Sequence, residues 1–371
     1  MKNFLIGTSA LVGAALVAVA AHAEDPKVVV GGVIDFQAAH VGEDQDAGKR
    51  AYGFRNDSEV TISVSGKSDN GLGYGAVVSL ESDVTADRNN QGFNASRTYT
   101  YLDGSFGHIE LGSNTGAAQS LAVEADNLAR ATGGIAGAWI NFPNAPTSNG
   151  GVQSRFISTP GLVAEHGSTS LYGDQSTFNA TKATYYSPRF SGFQVGLSLT
   201  PDLDDRGQTI TRNDVAGSFG NVIEAGINYE NQWDNVGLAA ALTGQVGDAD
   251  SAAVEDLRAW NLGTIVSFSG FSLGGSYGDW NDSGQAKGAN ADAHYYTLGA
   301  AYDFGPFGAS ATWLDSELGS NDFNNLVLGT DYSLAPGFTP YAEVSFFDAD
   351  AVGTANDNDG TVVLLGTELA F

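Results

Sequence analysis

The chain has 371 residues, with 49 glycines, 9 prolines, 1 methionine, no cysteine and 11% aromatics, and its 16 Lys and Arg stand against 43 Asp and Glu for a net charge of −27. Without cysteine there is neither a disulfide framework nor a thiolate metal site, and so acidic a chain lacks the basic face that nucleic-acid partners require. A hydrophobic fraction of 42% is too high for disorder and no G-x-y repeat is present, so this much glycine, with aromatics and few prolines, points to a sheet protein with close-packed walls.

Residues 1–23 have the parts of a secretory signal: Lys2 at a positive start, an apolar run from Phe4 to Val19, and the small-x-small pattern Ala21-His22-Ala23. The mature chain is expected to begin at Glu24. Beyond it no window reaches the ~18–20 apolar residues of a membrane-spanning helix.

From "VVVGGVIDF" onward the chain alternates with period 2. In "SEVTISVSG", Val60, Ile62 and Val64 alternate with Glu59, Thr61, Ser63 and Ser65. "LGYGAVVSL", "FQVGLSL", "IEAGINY", "FSLGGSY" and "YTLGAAY" repeat the scheme. Short turn signals at "SDNG" (68–71), "DGSFG" (103–107), "PRFSG" (188–192), "NQWDN" (231–235), "SG" (269–270), "DFGP" (303–306) and "LAPGF" (334–338) each sit inside a candidate hairpin. Polar stretches separate the hairpins, at about 39–50, 83–96, 113–179, 200–220, 244–256, 280–292, 315–324 and 348–360. Seven hairpins plus a first and a last strand make sixteen. An even count, short turns at one end and long polar loops at the other describe an all-β, antiparallel transmembrane barrel.

The faces fit that arrangement. Arg55, Asp57 and Glu59 share one side of the second strand, expected to face the lumen, while Tyr52, Phe54, Val60 and Ile62 share the other, expected to face lipid. Aromatics gather beside the short turns, from Phe106, Phe190, Phe193 and Trp233 to Phe338 and Phe371, as an interfacial girdle requires. The chain stops on "TVVLLGTELAF", an alternating strand whose pairing with the first would leave the sheet without an edge.

Residues 113–179 form a connection far longer than ordinary loops, which marks it as functional. Within it "GAAQSLAVEADNLARATGG", bounded by Gly116 and Gly133, predicts a helix with Leu121, Ala125 and Leu128 on one face and Glu124 and Asp126 projecting toward water.

The run "SRTYTYLDGSFGHIELG" (96–112) followed by a long loop, then "YYSPRFSGFQVGLSL" (185–199) and the terminal Phe371, resembles the general porin family of Gram-negative outer membranes. The resemblance implies a sixteen-stranded barrel over residues 24–371, assembled as a homotrimer, with loop 113–179 folded into the lumen as a constriction. It implies that Glu124 and Asp126 are loop acids set against wall bases, for which Arg55, Arg97 and Lys182 are the candidates, with Arg130 and Arg155 in the loop able to pair with its acids. It also implies that Phe371 is an address for the outer-membrane assembly machinery, and that the barrel contacts lipid and lipopolysaccharide.

No catalytic set is legible. The histidines at 22, 40, 108, 166 and 294 are not spaced as metal ligands, and neither a phosphate-cradling glycine loop nor a nucleophile elbow is present. The expectation is no enzyme, no cofactor and no resident metal, apart from a possible Ca²⁺ at "DLDD" (202–205) or at "DNDG" (357–360) with Asp348 and Asp350. The reading is therefore a passive diffusion channel with a weak preference for cations. Its competitors are a secreted adhesin- or lectin-like binding protein, and a solute-specific channel of the same fold.

Overall fold

A computed structural model describes residues 24–48, 50–82, 94–144, 156–165, 180–203, 218–289, 292–352 and 357–371. The expected signal at 1–23, Arg155, His166 and half of the "DLDD" run lie outside the described residues.

Sixteen antiparallel strands close into a barrel in which each pairs with its sequence neighbours. The first five are β1 (Glu24–Glu43), β2 (Tyr52–Lys67), β3 (Gly73–Glu81), β4 (Asn94–Gly104) and β5 (Gly107–Ser113). After the long connection come β6 (Thr181–Tyr186), β7 (Phe193–Asp202), β8 (Phe219–Trp233), β9 (Val236–Ala249), β10 (Leu257–Phe268) and β11 (Phe271–Asn281). The last five are β12 (Ala293–Phe304), β13 (Phe307–Leu318), β14 (Asn321–Tyr332), β15 (Phe338–Asp350) and β16 (Asn358–Ala370). The seam lies between β1 and β16, where Val33 stands opposite Ala370 and Ala39 opposite Leu364. Phe371 completes it: its N–H donates to Gly32 O at 3.0 Å and its carbonyl accepts from Gly32 N at 3.1 Å. Closure satisfies the backbone groups that hydrocarbon would leave unpaired.

Alternation sorts the side chains by face. Leu273 is 66% exposed and Phe54 71%, whereas inward Asn261 and Thr297 are 1% exposed. That is a soluble protein turned inside out. Outward aromatics stack in a belt along the short-turn rim: Phe193 on Tyr229 (4.6 Å between ring centres), Phe271 on Tyr302 (4.0 Å), Phe304 on Phe307 (5.5 Å) and Phe307 on Tyr332 (4.5 Å). A second group, Trp260, Tyr277 and Tyr296, packs near the opposite rim. Inside the wall, tyrosine rings fill the space that neighbouring glycines leave. Tyr101 lies over Gly75, Tyr295 over Gly278 and Tyr341 over Gly366, so a Cβ at any of these glycines would strike a ring.

One connection differs from the sequence expectation. The polar stretch 315–324 is not a loop; β13 runs to Leu318 and β14 starts at Asn321, leaving only Gly319 and Ser320 between them. Gly319, at φ 66°, sits at the first central position of this two-residue turn, where a tight hairpin wants positive φ. The polar residues mislead because the strands outrun the lipid: their outward side chains meet water, while inward Leu314, Leu318 and Phe323 stay buried.

Candidate functional site

The connection after β5 turns into the barrel and travels along its inner wall. It forms α1 (Ala117–Leu121) and then short 3₁₀ turns at Ala125–Leu128, Gly134–Ala136, Ala138–Asn141 and Val163–Glu165. Helix α1 lies against β7, β8 and β9, the next turn against β11 to β13, the third against β13 to β15, and the fourth against β16. A single helix from Gly116 to Gly133, as the sequence predicts, does not form. A helix is straight, and the seventeen steps from Gly116 to Gly133, at about 1.5 Å each, would reach only about 25 Å. The wall curves away beneath it, and the loop follows by breaking to extended backbone at Ala122 (ψ 149°) and Ala129 (ψ 149°).

An apolar cluster and a polar ladder hold the loop down. Trp139 stacks on Phe347 (5.8 Å) and Phe323 (6.3 Å), and Phe156 packs on Phe323 (6.1 Å), so the barrel's apolar core lies between loop and wall. Loop N–H groups donate to wall side chains: Ala117 to Ser198 Oγ (2.8 Å), Arg130 to Ser310 Oγ (2.8 Å), Thr132 to Glu343 Oε2 (3.2 Å), Ile135 to Thr312 Oγ1 (3.1 Å) and Asn144 to Glu43 Oε2 (2.6 Å). An irregular loop inside a wall needs such partners, since its backbone groups have no ladder of their own. None of these wall anchors is singled out by the sequence reading. The available signal is the parity of Ser198, Ser310, Thr312 and Glu343: inward, mid-strand and small or acidic.

The loop acids do not project toward water. Glu124 is 7% exposed, and its Oε1 accepts from the Tyr295 hydroxyl (2.5 Å) and from Asn261 Nδ2 (2.6 Å). Burial, with the nearby Asp126 charge adding to it, holds the Glu124 carboxyl well above its ordinary range. Asp126 is half-buried and is likewise raised by burial. The physical reason is that Asn261 of β10 and Tyr295 of β12 present hydrogen-bond donors on this side of the loop, and Glu124 turns to the wall to meet them.

The wall bases stand elsewhere in the ring. Arg55, on β2, pairs with Asp57 of the same strand at 2.6 Å. Arg97, on β4, lies opposite Ser79. Lys182, on β6, is buried at the loop's entry, donating to Asn114 O and, at 2.7 Å, to Ala180 O. Arg130 does not pair with the loop acids; it reaches the wall carboxylates Asp303 and, at 3.9 Å, Asp331. So at this point the loop brings the base and the wall the acids, the reverse of the polarity that the resemblance implies. His108 Nδ1 meets Asp103 Oδ1 at 2.5 Å and its Nε2 meets Glu110 Oε1 at 3.0 Å, a pinned lumen side chain. In the stretch considered for calcium, Asp357 Oδ1 accepts the N–H of Ala351 at 2.9 Å. Among the described residues no three His, Asp or Glu converge as metal ligands would.

A closed sixteen-stranded wall with an inward-folded third loop is the geometry against which known proteins can be compared. The family model described as Gram-negative porin matches residues 7–352. The chain belongs to the Gram-negative porin family. It is 26% identical over 364 residues to outer membrane porin protein 32 of Delftia acidovorans, covering 95% of this chain and 92% of that protein. An uncharacterised protein of Rickettsia felis is 26% identical over 385 residues, covering 87% of this chain and 86% of that one. Among solved structures, the anion-selective porin from Comamonas acidovorans superposes with a TM-score of 0.66 at 20% identity, over 94% of this chain and all of that one. A Rh. blastica porin variant gives 0.59 at 19%, over 93% and 100%. These structural likenesses show the fold. This porin is an outer-membrane protein, and the adhesin-like alternative is set aside by the family and by the closed barrel.

Proposed function

We propose that this porin is a passive diffusion channel for ions and small hydrophilic solutes, weakly selective for cations, and not an enzyme. The observation that carries the reading is the lumen itself: a wall closed to lipid, lined with polar side chains, and narrowed on one side by the seated loop. Solutes cross such an opening through water, filtered by its width and its field. On the inward parity of β1 to β4, the wall that the loop leaves open, Asp35, Asp57, Glu59, Glu81 and Asp103 stand against Lys27, Arg55, Lys67 and Arg97. Asp35 stands directly opposite Asp57, and Glu59 opposite Glu81, so like charges adjoin and the local field is negative. A structural neighbour carries the description anion-selective, and the cation preference proposed for this chain rests on its own wall acids alone. We further infer a homotrimer in contact with lipopolysaccharide, with Phe371 serving as the assembly machinery's address.

The test is the reversal potential of purified protein in a planar bilayer under a KCl gradient. A potential on the K⁺ side, moved toward zero by the double substitution Glu59→Gln and Glu81→Gln, is the expected result. A wild-type potential on the Cl⁻ side overturns the selectivity, and an absence of conductance from folded protein overturns the channel. Migration on detergent gels before and after boiling reports the oligomer.

A further inference from the structure

Where the loop crosses the wall, the wall repeatedly carries glycine beneath it. Six inward-facing glycines lie along its path: Gly196 on β7, Gly226 on β8, Gly263 on β10, Gly299 on β12, Gly308 on β13 and Gly329 on β14. Each has ordinary strand dihedrals, so backbone conformation does not demand glycine at any of them. Room does. A Cβ at Gly196 would lie 2.8 Å from the Leu121 side chain, and one at Gly226 3.1 Å from it. At Gly263 it would fall on the carbonyl oxygen of Val123. At Gly299 it would come within 2.9 Å of Ala125 O and 3.0 Å of its Cβ; at Gly329, within 2.7 Å of Arg130 O; and at Gly308, within 2.7 Å of Arg130 Nε. The contacts run in the same order along loop and wall, from Leu121 on β7 and β8 to Arg130 on β13 and β14.

We propose that these six glycines form a track that sets how deeply the loop seats, and that the track, more than the loop's own side chains, determines the open width and so the size limit of the pore. The inference rests on the channel reading above. Side chains added to the track lift the loop backbone toward the axis, because the contacts at Gly263, Gly299 and Gly329 are to main-chain atoms, which cannot rotate aside. The anchors Ser198, Ser310 and Thr312 stand on strands that also carry track glycines, and Glu343 on the next strand beyond, so seating depth and hydrogen-bond length change together. Charge is untouched by such substitutions, so width and selectivity separate.

The experiment compares single-channel conductance and the size limit for neutral sugars, by liposome swelling, across Gly263→Ala, Gly263→Val, Gly299→Ala and Gly299→Val. Gly53→Val serves as control, since a Cβ there meets nothing within 4 Å. Folding is checked by boiling-dependent gel migration. The expected result is a loss of conductance and a smaller size limit that deepen from alanine to valine, with the reversal potential and the control unchanged. Valine variants that fold and conduct as the wild type does overturn the track while leaving the channel standing. If valine blocks assembly, Gly299→Ala decides: its methyl asks for a shift of a few tenths of an ångström against Ala125, and a folded variant with wild-type conductance and size limit overturns the proposal. A wild-type protein that does not conduct overturns the channel reading itself.

Discussion

Glu124 carries its carboxyl into a place that offers donors but little water. Tyr295 and Asn261 both aim at Oε1, which stabilises charge, but desolvation and Asp126 outweigh them and the group holds its proton to higher pH than a free glutamate does. The sign of the linkage follows. With the folded value raised above the ordinary 4.5, the seated loop binds more protons than the released one, so seating is unpenalised at acid pH and weakens as pH climbs through the raised value. Current noise from loop movement is therefore expected to increase between pH 5 and 9 in the wild type. Glu124→Gln keeps the shape and both donors' acceptor without a titrating proton, and should flatten that increase. Noise equally dependent on pH in the variant would place the titration in another group.

At the scale of elements, β13 and β14 show what a tight turn needs. Gly319 holds φ 66° while Ser320 does not require positive φ. Valine at 319 must adopt a backbone region that β-branched residues avoid, at a cost of about 1–3 kcal/mol. Gly319→Val should lower the urea midpoint of unfolding in detergent, and Ser320→Val should leave it nearly unchanged; equal midpoints would remove the turn argument. The same hairpin shows where a sequence is legible. Strand alternation is local, so "FQVGLSL" or "YTLGAAY" declares its two faces without help, and the pairing of "TVVLLGTELAF" with the first strand follows from parity and the need for closure. Tight turns in water-exposed rims are harder, because polar residues at 315–324 look the same in a loop and on a strand that has left the bilayer. The loop's course is harder still. Leu121 does face the wall, but Glu124 turns inward because Asn261 and Tyr295, more than 130 residues further on, are waiting there. Its helix breaks because six glycines and a row of hydroxyls on distant strands define a curved path, and no local propensity encodes that path.

Five tryptophans report how the whole molecule sits between lipid and water. Trp233 is 49% exposed in the short-turn belt and Trp260 37% exposed near the other rim, and Trp313 stands on the same outward face, opposite Leu298 and Leu326. Trp139, itself part of the loop, is fully buried on the side that faces the wall, and Trp280, 6% exposed, donates from Nε1 to Gly161 O at 2.9 Å on the inner side. In an outer-membrane barrel the outward band is about 25 Å tall with aromatics at its edges, so Trp233 and Trp260 belong at the two headgroup boundaries, while Trp139 and Trp280 are shielded by the wall. Reconstitution into brominated lipids tests this arrangement as a unit. Bromines near the headgroups should quench more than bromines at the bilayer centre. Trp233→Phe, Trp260→Phe and Trp313→Phe together should remove most of the quenchable emission, whereas Trp280→Phe should remove emission that bromine does not reach. Strong quenching that survives the loss of all three outward rings would put Trp139 or Trp280 in contact with lipid, and a barrel with its loop inside could not do that.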